Sequence, residues 1–181
     1  MYLFFFYLLL DAEVVLIRLI LLNGVLKINK SATIGDVFNN YKYVTNGEWK
    51  IIHDQQNRTI VQFSGIMTKQ IFNDIDEVYR KFYDKAFYAK VVEENPIHKI
   101  IDKVVYIARF TIDKDNATKF KLSYSGLMFI GYNNEERDMS DYMDILENIY
   151  KNNDNFVQGL ALTFFGYNYS VVNNPNFCEN K

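Results

Sequence analysis

From Val104 to Tyr124 the chain alternates. Val104, Tyr106, Ala108, Phe110 and Ile112 are separated by more polar neighbours. Asp113–Thr118 interrupts with Asp and Asn, after which Phe120, Leu122 and Tyr124 alternate with Lys119, Lys121 and Ser123. Successive side chains on a strand point to opposite faces, so this pattern predicts a β-hairpin with one face on a core and one face wet. The break suits its composition, because Asp and Asn side chains bond the local backbone in turns.

A second hairpin is expected upstream. Trp49, Ile51 and His53 share one side of a strand, Asp54–Arg58 is a polar turn, and Val61 and Phe63 alternate with Ile60, Gln62 and Ser64. Asn46-Gly47 reads as a break before this hairpin. Between the hairpins, Ile71, Ile75, Val78, Phe82, Ala86 and Ala89 recur at helical spacing until Pro96 ends the pattern. Residues 33–42 read as an amphipathic helix on Ile34, Val37, Phe38 and Tyr41, with Ser31 or Thr33 as its cap. A last helix carries Tyr142, Ile145, Leu146 and Ile149, with Asp138 or Ser140 to cap it. Asn23-Gly24 is a turn, and Val25-Leu26-Lys27-Ile28 is expected as a short strand.

The expected order is β-α-ββ-α-ββ-α. It implies an α+β fold: an antiparallel sheet of four to five strands from two β-hairpins, helices packed on one face, and an N-terminal hydrophobic helix. With 181 residues the chain is the size of a single domain. The expected divisions are a hydrophobic segment over residues 1–22, one α+β domain over 23–152, and an extension over 153–181. That extension ends in an Asn-rich tail and includes a strand or two within Phe156–Val172.

The first segment, MYLFFFYLLLDAEVVLIRLILL, is long enough to span a bilayer as a helix. It also holds Asp11, Glu13 and Arg18. A charge at the membrane centre costs about 2.5–3.5 kcal/mol, while each Leu, Ile, Phe or Val returns about 0.3–0.6 kcal/mol. The fifteen such apolar residues here roughly offset the three charges, so insertion is marginal. Nothing basic precedes Phe4, unlike an ordinary export signal, and Asp11 and Arg18 share a helix face that Glu13 leaves. Three readings stand: a degenerate export signal or anchor, a helix buried against the domain, and an extension from a misassigned start or a truncated gene. The first gives a route to membrane association through residues 1–22.

Composition excludes several functions. Twenty Lys and Arg against 22 Asp and Glu leave no excess positive charge for nucleic acid. One cysteine, Cys178, makes neither an internal disulfide nor a thiolate zinc site. Only two histidines occur, His53 and His98, too few for the usual zinc or iron sets. Asp113-Lys114-Asp115-Asn116-Ala117 begins like a calcium loop, but Ala117 and Tyr124 stand where oxygen ligands are needed. Ser64-Gly65 and Ser125-Gly126 lack the nucleophile elbow, and Thr33-Ile34-Gly35-Asp36 is too short to cradle phosphate. Carboxylate pairs such as Asp74/Glu77 and Asp141/Asp144 read as solvated helix faces. No catalytic, cofactor-binding or metal-binding residue is therefore expected. Tyr83 and Tyr88 fall off the main stripe of the long helix and are the candidate partner-binding residues.

Several segments together resemble a small family of bacterial envelope-associated, periplasmic or lipoprotein-like proteins of unknown function. They are Asn23-Gly24-Val25-Leu26, Ser31, Thr33-Ile34-Gly35, Phe38, Tyr41-Lys42-Tyr43, Trp49 and the run Asp54–Gly65. Ala108–Ile112, Phe120–Tyr124 and Ile149–Asn152 continue the likeness, which covers about residues 23–152. The resemblance implies bacterial origin and a place at or beyond the inner membrane, with the domain carried behind a signal, lipid anchor or membrane segment. This chain departs there, since no lipid-accepting Cys follows residues 1–22. The expectation is a non-enzymatic cell-envelope protein that binds another protein or a surface component. The alternatives are an enzyme acting on an envelope polymer through scattered residues, and an orphan or mobile-element protein with a damaged leader.

Overall fold

The computed structural model describes residues 15–82, 99, 101–116, 118–132, 134, 136–140, 143–153, 155 and 157–161. Helix α1 runs through residues 15–22 and turns Ile17 and Leu21 into the core, leaving Val15, Leu16 and Leu19 more than half exposed. Within the described residues, then, the end of the hydrophobic segment packs on the domain. No described helix is long and apolar enough to cross a membrane.

The strand expected at Val25–Ile28 is instead a turn closed by a Leu26–Asn29 bridge. Val25 and Ile28 are 45% and 46% exposed, so neither supplies the burial that would hold four residues in a sheet. Helix α2 spans Ile34–Asn39, and Thr33 caps it by accepting the Asp36 N–H at 3.1 Å.

Strand β1, Val44–His53, begins before the Asn46-Gly47 pair that reads as a break. The pair forms a bulge instead: the register with β2, Thr59–Met67, shifts between Thr45 and Glu48, and Asn46 takes φ 51°. A Cβ on Gly47 would lie 2.8 Å from Phe63 Cε2, so the bulge needs glycine there. Asp54 ties the following turn, accepting N–H groups of Gln56 and Arg58 at 2.9 Å each. Asp113 does the same in the next hairpin, for Asp115 and Asn116 at 2.9 and 3.0 Å.

Helix α3, Gln70–Phe82, buries Ile71, Phe72, Ile75 and Tyr79. Phe82, expected on the apolar stripe, is 59% exposed. Tyr79 sets the rotation instead, with its hydroxyl donating to the Ala161 carbonyl at 2.6 Å. Strands β3, Ile101–Ile112, and β4, Phe120–Gly131, form the longest pair.

Strand β5, Glu136–Ser140, completes an antiparallel sheet of five strands in the order β1-β2-β3-β4-β5. Asp138 and Ser140 thus belong to an edge strand and do not cap a helix. Helix α4, Met143–Lys151, ends with Asn152 at φ 47° and the Asn153 N–H on the Asn148 carbonyl at 3.1 Å. Residues 157–161 are helical, α5, where a strand is expected.

The five helices of the described residues, α1 to α5, contribute to one core on one side of the sheet. Ile17, Phe38, Ile75, Ile149 and Leu160 join Trp49, Val61, Phe63, Tyr106, Phe110 and Leu127. At its centre Phe38 meets the rings of Trp49, Phe63, Tyr106 and Phe110 at 5.2–5.8 Å and of Tyr150 at 6.3 Å. The α+β class, the antiparallel sheet and the two hairpins stand as expected. The element order differs: the first strand is a turn, β5 is added after β4, and α5 stands where a strand is expected.

Candidate functional site

Tyr83 and Tyr88 lie outside the described residues. The described residues hold no group of three His, Cys, Asp or Glu side chains able to bind a metal ion. His53 ends β1 and is exposed. Asp54 keeps its carboxyl below the usual range, through the backbone N–H and then the side chain of Arg58, the opposite direction from what a general acid needs.

The second face of the sheet is the distinctive surface. Ile60 and Ile107 are buried yet stand apart from the helical core, which places them on the side facing away from it. Register gives the rest of that face. Lys50, Gln62, Arg109 and Tyr124 form one row across β1 to β4, and Glu48, Ser64, Ile107 and Gly126 form the next. Beyond them come Ile66, Val105, Met128 and Asp138.

A β-bulge builds the middle of this face. Arg109 pairs with Tyr124 while Phe110 pairs with Leu122, so Ser123 is the extra residue of β4. Its hydroxyl donates to the Arg109 carbonyl at 3.1 Å. The bulge reverses the alternation for the residues that follow. Tyr124, expected beside Phe120 and Leu122 on the core side, turns to the other face, and Ser125 turns into the core. There Ser125 is 8% exposed and shares a 3.0 Å hydrogen bond with the Tyr106 hydroxyl.

On the second face the polar groups lock one another. The Arg109 Nε–H donates to Gln62 Oε1 at 2.8 Å, and Gln62 Nε2 donates to Ser64 Oγ at 3.0 Å. The guanidinium lies over the Tyr124 ring, 4.9 Å from its centroid. The Tyr124 hydroxyl donates to Asp138 Oδ1. Partial burial, reinforced by the Asp138 hydrogen bond and charge against the pull of Arg109, pushes this phenol up to about 12. Tyr124 is thus a neutral donor at physiological pH, a positioning group and not a base. Residue patterns predict none of these roles, because they depend on one inserted residue that shifts a register.

Comparison with protein-family models, with curated proteins and with solved structures gives no match for this chain.

Proposed function

We propose that the protein is a non-enzymatic binding module of the bacterial cell envelope, and that the sheet face opposite the helices meets its partner, a protein or a surface component. One observation carries the binding reading. Gln62, Arg109, Tyr124 and Asp138 are fixed against each other among the apolar side chains of Ile66, Val105, Ile107 and Met128, on a face where no described helix lies. Aromatic and arginine side chains held rigid in an apolar setting are the usual anchors of recognition, since little side-chain freedom is lost on binding. The resemblance over residues 23–152 supports the envelope location. So do Val15, Leu16 and Leu19, which present an apolar edge beside the core.

A photo-crosslinking residue placed at Val105 or Met128 tests the face in living cells. The expected result is one adduct of defined mass from these positions, suppressed by excess unmodified protein. Val25 and Tyr132, exposed elsewhere, serve as controls and give none. Equal labelling from all four positions, or none, overturns the reading. Fractionation of the full chain tests location, because removing residues 1–22 would strip Ile17 and Leu21 from the core. Recovery wholly in the cytoplasmic fraction overturns the envelope assignment.

A further inference from the structure

We infer that Arg109 is a carboxylate anchor: it holds an acidic side chain or terminal carboxylate of a partner protein that lies across this sheet face. The inference rests on the binding reading above and names the chemistry of the contact. Among the described residues, the contacts of the Arg109 guanidinium are the Nε hydrogen bond to Gln62 and the stack on Tyr124. Both orient the guanidinium without neutralising it. The two terminal nitrogens keep their N–H donors, in a side chain that is only partly exposed.

The nearby acids do not compensate the charge. Glu48, one row away, is paired with Lys50 at 2.9 Å. Asp138 is bonded to Tyr124. Lys121, exposed on β4 beside the bulge, adds a second positive charge on the same face. An oriented planar guanidinium with a free edge matches the two oxygens of a carboxylate.

The surroundings choose among anions. Ile107, buried at 6% exposure in the next row, and Val105 and Ile66 in the row beyond it give the face an apolar side next to the Arg109 row. Such a side suits a carboxylate with an apolar body. The exposed Asp138 carboxylate works against a phosphate dianion, whose charge is greater and whose hydration is stronger.

The test uses the full chain, labelled for NMR, titrated with benzoate, acetate and inorganic phosphate. The Arg109 Nε–H and Tyr124 ring signals are followed. Saturable shifts with benzoate are expected at both, with half-saturation several-fold below that of acetate. R109Q abolishes them while spectral dispersion persists. R109K keeps the charge, loses the fork and weakens benzoate by about tenfold. Unchanged benzoate shifts in R109Q overturn the inference, as does phosphate binding tighter than benzoate. A crosslinked adduct that survives in R109Q also overturns it while leaving the binding face intact. Saturable benzoate binding with no adduct upholds the anchor and removes the wider reading.

Discussion

Two buried tyrosines in the core should respond oppositely to the same change. The Tyr150 ring packs on Phe38 with 9% exposure, and its hydroxyl is buried with no hydrogen-bond partner among the described residues. The Tyr106 hydroxyl, fully buried, shares its bond with Ser125 at 3.0 Å. A buried polar group without a partner costs about 1–3 kcal/mol, so Tyr150→Phe removes a penalty. The oxygen-sized void left behind returns only a few tenths of a kcal/mol at about 24 cal/mol per Å³. The net expectation is a gain of about 1–2 kcal/mol, or roughly 2–8 °C in Tm for a chain of this size. Tyr106→Phe strands the Ser125 hydroxyl and should cost about 1–2 kcal/mol, and Ser125→Ala should cost a similar amount by stranding Tyr106. The double variant should cost less than the two losses added together, since neither partner is then left alone. Urea titration of the full chain reads all four variants through Trp49, the sole tryptophan, whose ring lies 4.9 Å from Phe63 and 5.8 Å from Phe38. A Tyr150→Phe variant destabilised by about 1 kcal/mol or more would refute the reasoning, because such a loss requires a hydrogen bond at that hydroxyl.

Phe38→Ala should cost about 3–5 kcal/mol and lower Tm by about 6–20 °C, because it empties the place where five aromatic rings converge; calorimetry checks this, and a loss under about 1 kcal/mol would mean the ring is not central. Alkaline pH should also weaken the fold. Burial pushes Tyr150 up to about 12 and Tyr106 higher still, and Tyr124 also reaches about 12, against about 10 in the unfolded chain. Their contribution is complete below pH 10 and is lost as pH rises through the folded values, since the unfolded chain gives up these protons first. Urea midpoints measured from pH 9 to 12 should fall, and less steeply in Tyr150→Phe; an identical slope in that variant would contradict the assignment.

Period-two alternation located both hairpins, because each strand buries one face and the amphipathic signal is strong. The turns were equally readable, since Asp54 and Asp113 act on their own neighbours and need no tertiary partner. The helix start at Thr33 was legible for the same reason. What escaped was set at longer range. Strand β5 is short, and Glu136 and Asp138 are exposed, so its sequence looks like a loop until β4 offers an edge to pair with. Asn46-Gly47 carries the signal of a break, and only the partner strand shows that it is a bulge. Phe82 and Tyr79 compete for the same helix stripe, and a carbonyl 82 residues away decides between them. The Gln62–Arg109–Tyr124–Asp138 array was not legible at all, because it joins four strands across a shifted register.

That shift links the core to the candidate site. Without Ser123 as an extra residue, strict alternation would put Tyr124 on the core side opposite Ala108, in the row that also holds Phe63 and Trp49. A tyrosine there would overpack a layer already filled by aromatic rings, at a cost of about 1–3 kcal/mol. It would also send Ser125 outward and leave the Tyr106 hydroxyl buried without its partner. With the bulge, the small hydroxyl enters where Tyr106 needs it, and the large ring moves to the face where it supports Arg109. One inserted residue thus satisfies the core and builds the outer array together. Selection on core packing alone would retain the bulge, whereas the fixed contacts of Arg109 and Asp138 with Tyr124 would be retained only if that face is used. Substitutions at Arg109 that leave the unfolding free energy within about 0.5 kcal/mol of the parent, the usual range for surface changes, therefore separate the two roles of the bulge.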